Sequence, residues 1–203
     1  MNFAVSGLYA ITQTDNKSAE QITAAVTAAI RGGASVIQYR DKNRQDVEVL
    51  AIELLAICRE HKVPLIINDD INLAERIGAD GLHLGRNDGN ITEARQRLGK
   101  EFIIGISCYN SLPRAIAAEN NGASYVAFGR FFPSGSKPLA APANIETLRK
   151  AKSRIQIPIV AIGGILPENG AQLLQAGADL LAVIGGVFDH NPEQSARKYL
   201  SLF

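Results

Sequence analysis

Gln38, Arg40 and Lys42 stand at every second position of the stretch VIQYRDK, residues 36–42. The stretch begins as an apolar strand and ends in full charges. Side chains at i, i+2 and i+4 of an extended chain share one face. One amide and two cations therefore aim at a single spot, with Ile37 and Tyr39 turned toward covering helices. No turn signal follows that would make the segment a solvated hairpin. The chemistry this suits is the holding of an anion. The plainer alternative is a surface ion pair of Arg40 or Lys42 with Asp41.

Carboxylates occur at comparable places. Asn68-Asp69-Asp70 ends the apolar run PLIIND, and Asp88 follows GLHLG in the turn GRND. Magnesium takes one or two carboxylates and completes its shell with water and phosphate oxygens. Of Asp69 and Asp70, one is expected to cap the helix that starts at Ile71 and the other to bind metal. Asp88 has a competing role as the cap of a helix near Ile91.

A long segment, RFFPSGSKPLAAPA, offers Ser134, Ser136 and Lys137, which suit phosphate capture. Read without its surroundings it is a solvated linker. Gly163-Gly164 and Gly185-Gly186 each end an apolar run, and glycines let backbone N–H groups approach an oxyanion closely. Ser107 ends another run, followed by Cys108, Tyr109 and Asn110. Cys108 has no base beside it and is declined as a nucleophile. His83, inside GLHLG, reads as a satisfied core residue. Two anion sites without a nucleophile or an acid–base pair suit departure of a diphosphate better than acyl transfer or hydrolysis.

Strand-like and helix-like stretches alternate to position these groups. The strand candidates are GLYAIT, SVIQYR, PLIIND, GLHLG, FIIGIS, YVAFG, IPIVAIGG and LLAVIGG, mostly continuous apolar runs of the kind covered on both faces. Ser18 to Gln21 fits a capping box, followed by Ile22, Val26, Ala29 and Ile30 on one helical face. Residues 44–61 carry Val47, Leu50, Leu54 and Ile57 at helical spacing, and Asn191-Pro192 starts a last helix. Gly33, Gly78, Gly122 and Gly177, each in a GAS or GAD triplet, fit the left-handed position that closes a helix. Eight strands joined by helices define a single-domain (β/α)8 TIM barrel over residues 1–203, with the site at the C-terminal ends of the strands. The alternative, a doubly wound open sheet, lacks an early Gly-rich fingerprint.

Composition narrows the partners. Among 203 residues, 46% are hydrophobic and 20% charged, with a net charge of +1 and no basic block. That balance argues against a nucleic-acid surface or an anionic membrane surface. No apolar run reaches the roughly 18 residues of a membrane span. Cys58 and Cys108 are too few for a disulfide framework. MNFAVSGLYAIT lacks a basic n-region and a cleavage pattern, so no signal peptide is expected and the expected location is the cytoplasm. The oligomeric state is left open, a homo-oligomer included.

The ordered series GLYAIT, IQYRDK, IINDD, GLHLGRND, IGIS, YVAFGRFFPSGSKP, AIGGI and AVIGG, from Gly7 to Phe188, resembles the thiamine phosphate synthase family. The resemblance implies a TIM barrel that requires magnesium. It implies a reaction joining 4-amino-2-methyl-5-(diphosphooxymethyl)pyrimidine to 4-methyl-5-(2-phosphoethyl)thiazole, or its 2-carboxy form, with release of diphosphate and thiamine phosphate. It places Gln38, Arg40, Lys42 and Asn68 around the pyrimidine diphosphate, magnesium on Asp69 and Asp88, and Ser107 on the pyrimidine. Ser134, Ser136, Gly164, Ile184 and Gly185 fall to the thiazole phosphate and Lys137 to the diphosphate. Arg40, Lys42 and Lys137 are implied as the catalytic cations. The pyrimidine C–O bond is implied to break before the thiazole nitrogen attacks.

Three departures from the family pattern stand out. Gly185 replaces a usual serine, Ser134 and Ser136 replace threonines, and Cys108-Tyr109 replaces a common Thr-His. The last bears on a rival reading, a thiazole tautomerase of the same fold that uses a histidine after strand 5. A third reading is a non-catalytic binder of thiamine precursors, against which the retained charged residues speak.

Overall fold

The computed structural model describes residues 3–41, 47–86, 89–133 and 141–203. Eight parallel strands close into a barrel in chain order. They are β1 (Gly7–Ile11), β2 (Ala34–Tyr39), β3 (Leu65–Asn68), β4 (Gly81–Leu84), β5 (Ile103–Tyr109), β6 (Tyr125–Gly129), β7 (Ile159–Ile162) and β8 (Leu180–Val183). Helices follow each strand: α1 (Ala19–Arg31), α2 (Val47–Glu60), α3 (Ile71–Arg76), α4 (Ile91–Leu98), α5 (Leu112–Asn120), α6 (Ile145–Lys152), α7 (Pro167–Gln175), α8 (Gly185–Phe188) and α9 (Pro192–Leu200).

Local chemistry sets the helix ends. The Ser18 hydroxyl accepts from the Gln21 N–H, and the Gln21 side chain accepts from the Ser18 N–H in return. Ile22, Val26, Ala29 and Ile30 of α1 are buried, as their spacing requires. Asn191 caps α9, with Pro192 at its first position. Asp70 caps α3 by accepting from the Leu73 N–H at 2.9 Å. Asn90 caps α4, a role the sequence also allowed for Asp88. The glycines of the four triplets all have positive φ: +101° at Gly33, +62° at Gly78, +87° at Gly122 and +110° at Gly177. Each lets the chain leave its helix and turn directly into the next strand.

Two apolar layers result. Ile37 and Tyr39 of β2 belong to the outer one, between strands and helices. Inside the barrel, Tyr9, Val36, Ile66, Ile103, Tyr125 and Leu180 form a second cluster. Phe3 joins it from the N-terminal end, its ring stacked on Tyr125 at 4.2 Å between centroids. Gly105 faces the same interior and pairs in register with His83 on one side and Tyr125 on the other. A Cβ there would lie 1.9 Å from the Tyr125 ring. The missing side chain is the space that Tyr125 fills.

Candidate active site

The C-terminal rim gathers most of the expected groups. On β2, Gln38 turns inward and is buried, and its Nε2 donates to the Tyr9 hydroxyl at 2.8 Å. Arg40, two residues on, is half-buried, and Thr12 fixes its backbone. The Arg40 N–H donates to Thr12 Oγ1 at 2.9 Å, and that hydroxyl donates to the Arg40 carbonyl at 3.2 Å. Among the described residues no carboxylate pairs with the Arg40 guanidinium; Lys42, the other cation of the surface alternative, lies outside them.

Asn68 ends β3, and its Nδ2 donates to the Asp69 carboxylate at 2.6 Å. Asp69 has φ +65°. Its N–H donates to the His83 carbonyl at 2.8 Å, which ties the bend to β4. Asp69 and Asp70 therefore divide the work, Asp70 capping α3 and Asp69 standing at the strand end. A hard oxygen donor at that place fits magnesium, whose remaining ligands are water and phosphate. Among the described residues no cluster of three or more metal-ligating side chains occurs.

Ser107 faces inward on β5 and its Oγ lies 2.8 Å from His83 Nε2. Arg114 of α5 clamps the strand ends below it, donating to the Ser107 carbonyl at 2.8 Å and to the Gly85 carbonyl at 3.1 Å. Tyr109, where the family often has histidine, lies under the Arg86 guanidinium at 4.8 Å from the ring centroid. Cys108 is fully buried, and burial pushes its thiol up to about 12. Cys58 is likewise buried and pushed up to about 12. Neither is a nucleophile near neutral pH.

Beyond β7, Gly163 and Gly164 have φ of +107° and +62°. The start of the long segment lies directly on them: a Cβ at Gly164 would be 2.2 Å from the Pro133 carbonyl oxygen. Gly185 does not end a strand. It opens the short helix α8, with Ile184 as the residue before it. The first N–H groups of a helix have no partner within it and suit an anion. A Cβ at Gly185 would meet a carboxylate oxygen of Asp189 at 2.3 Å, so the serine usual in the family requires that side chain to move. Tyr199 braces both glycine pairs. Its hydroxyl donates to the Ile165 carbonyl at 3.0 Å and fills the space over Gly186. Lys42, Asp88, Ser134, Ser136 and Lys137 lie outside the described residues.

Several contributors were not singled out from the sequence. Thr12, Tyr9, Tyr125 and Arg114 act through others, and only their spatial partners reveal them. His83 is satisfied, as read, but one of its partners is a candidate site residue.

These features define a (β/α)8 barrel with a guanidinium, a carboxylate and glycine turns gathered at the C-terminal ends of its strands. The family model described as thiamine monophosphate synthase matches residues 8–187, and the chain belongs to that family. It is 53% identical to the thiamine-phosphate synthase of Nitrosococcus oceani, covering 93% of this chain and 88% of the relative. It is 50% identical to that of Methylococcus capsulatus, covering 99% and 91%. Thiamine phosphate pyrophosphorylase from Pyrococcus furiosus superposes with a TM-score of 0.87 at 32% identity, over 97% of this chain and 94% of that one.

Proposed function

We propose that the protein is a thiamine phosphate synthase. It joins 4-amino-2-methyl-5-(diphosphooxymethyl)pyrimidine to 4-methyl-5-(2-phosphoethyl)thiazole and releases diphosphate; from the 2-carboxy form the carboxylate also leaves as carbon dioxide and a proton takes its place. The observation that carries this reading is the Arg40 guanidinium just past β2, with no carboxylate partner among the described residues, on the same rim as the Asp69 carboxylate just past β3. The names of relatives at 50% and 53% identity support it.

In this reading the pyrimidine C–O bond breaks first and the diphosphate leaves with the bonding pair. The thiazole nitrogen then attacks the carbon. Arg40, Lys42 and Lys137 hold the departing charge, and Gln38 and Asn68 orient the pyrimidine diphosphate. Asp69 and Asp88 would hold a magnesium ion, which when bound would supply positive charge to the diphosphate oxygens. Ser107 contacts the pyrimidine. Ser134, Ser136 and the backbone at Gly164, Ile184 and Gly185 hold the thiazole phosphate. No base is needed at the carbon being joined, because the attacking nitrogen brings a lone pair and has no proton to lose. Catalysis is then charge stabilisation and alignment of two rings.

The tautomerase alternative needs a histidine in the segment that follows Ser107, and Cys108 and Tyr109 stand there, at the end of β5. Among the described residues no helix is long and apolar enough to cross a membrane. That and the two buried free thiols support action in the cytoplasm.

The test is an incubation with both substrates and magnesium. Diphosphate release that requires the thiazole phosphate is expected. Release without it indicates a hydrolase, and binding without release indicates a non-catalytic binder; either result overturns the reading.

A further inference from the structure

A continuous line of polar side chains crosses the barrel interior. Gln38 Nε2 lies 2.8 Å from Tyr9 Oη, Tyr9 Oη 2.7 Å from Tyr125 Oη, Tyr125 Oη 2.9 Å from His83 Nδ1, and His83 Nε2 2.8 Å from Ser107 Oγ. Four of the five are closed off: Gln38 is 3%, Tyr9 1%, Tyr125 0% and His83 9% exposed. Ser107 alone is partly open. Burial pushes both phenols well above their ordinary value, so they remain neutral donors at neutral pH.

Counting protons fixes the direction. The amide nitrogen of Gln38 can only donate, so Tyr9 Oη accepts there. Each phenol has one proton. If Tyr125 donates to Tyr9, the Tyr9 proton is left buried without an acceptor among the described residues. If His83 Nδ1 donates to Tyr125, one of the two phenol protons is stranded in the same way. A buried unmet donor is costly. One arrangement meets every proton: Tyr9 donates to Tyr125, Tyr125 donates to His83 Nδ1, and a neutral imidazole donates from Nε2 to Ser107 Oγ. The Ser107 oxygen then accepts from His83 through one lone pair, and its own proton is not spent on His83 but is free for the substrate side.

We infer that this line is a one-way hydrogen-bond relay that makes Ser107 a fixed donor toward a lone pair on the pyrimidine ring, with His83 and Tyr125 as its positioning residues. The inference rests on the placement of Ser107 at the pyrimidine proposed above. The register supports a built feature, since Gly105 between His83 and Tyr125 leaves the room through which the two meet. A donor held in advance loses no orientational freedom on binding and favours a ring nitrogen over a competing N–H.

The test combines a spectrum with kinetics. The protein is labelled with 15N-histidine, and the His83 signals are assigned by their loss in His83→Gln. A neutral imidazole protonated at Nε2 is expected at neutral pH. In Tyr125→Phe, a mixture of tautomers is expected. The KM for the pyrimidine diphosphate should rise about tenfold, the worth of one hydrogen bond, with the KM for the thiazole phosphate unchanged. An Nδ1–H or doubly protonated His83 in the unmodified protein overturns the relay, even if Tyr125→Phe fails to fold. A Tyr125→Phe variant that raises both KM values alike, or neither, overturns the positioning role. If the unmodified protein releases no diphosphate, the proposed function falls, while the spectrum still decides the relay.

Discussion

The Arg114 guanidinium on α5 donates to the backbone carbonyl of Ser107, 2.8 Å away, and so fixes the end of β5 from outside the barrel. A second arm reaches Gly85 after β4. One planar side chain thus sets the relative height of two strand ends that carry site residues.

Arg114→Leu should remove both bonds and take a charged donor from each of the two carbonyls. The expected stability loss is about 1–3 kcal/mol, with a higher KM for the pyrimidine diphosphate. Arg114→Lys should recover only part of it, because a point cation cannot span two carbonyls with the same geometry. Denaturant unfolding and steady-state kinetics check both expectations.

Arg40→Gln and Lys42→Ala should each lower kcat by about a hundredfold or more, since each removes a cation from the developing diphosphate charge. Stability in Arg40→Gln should change by less than about 0.5 kcal/mol, because no carboxylate among the described residues depends on that guanidinium. Normal turnover in either variant removes that residue from the catalytic set.

Asp69 and Asp70 should separate cleanly. Asn tolerates a positive φ, so Asp69→Asn keeps the backbone while removing the charge. It should raise the magnesium concentration needed for half-maximal turnover. Asp70→Ala should cost about 1 kcal/mol of stability through the lost cap and leave the magnesium dependence unchanged. Chelation of magnesium should abolish turnover of the unmodified protein. Titrations of rate against magnesium decide.

Stability should fall in alkali. Burial raises the folded-state pKa of Cys58 and Cys108 to about 12, from an ordinary 9.0, and raises Tyr9 and Tyr125 as well. Each group favours folding only while protonated. The contribution is whole below the unfolded pKa and is lost as pH rises from there toward the folded value. The melting temperature should therefore decline as pH rises through the range from 9.0 to about 12. Tyr125→Phe should have a shallower decline than the unmodified protein, measured by thermal unfolding against pH.

Much of this architecture was legible in the chain because local rules decided it. The Ser18 box, the Asn191-Pro192 start and the four glycine turns each depend on a few adjacent residues. The inward aim of Gln38 was legible because Gln38, Arg40 and Lys42 stand at every second position, with Ile37 and Tyr39 between the strands and the helices. The inner Tyr9–Tyr125–His83 line was not, because strands covered on both faces give an apolar run with no visible inside. Its logic lies in pairing across strands, where Gly105 yields space to a tyrosine twenty positions away. Gly185 was read as a strand end; it opens a helix, since the chain after Val183 turns at once and no periodic signal fits in four residues.

A crystal of the protein with diphosphate and magnesium tests the central claim most directly. The account predicts diphosphate against Arg40 and Lys42, with the ion shared between its oxygens and the carboxylates of Asp69 and Asp88. Diphosphate bound elsewhere, with Arg40 turned to bulk water and the two carboxylates too far apart to share an ion, would contradict it.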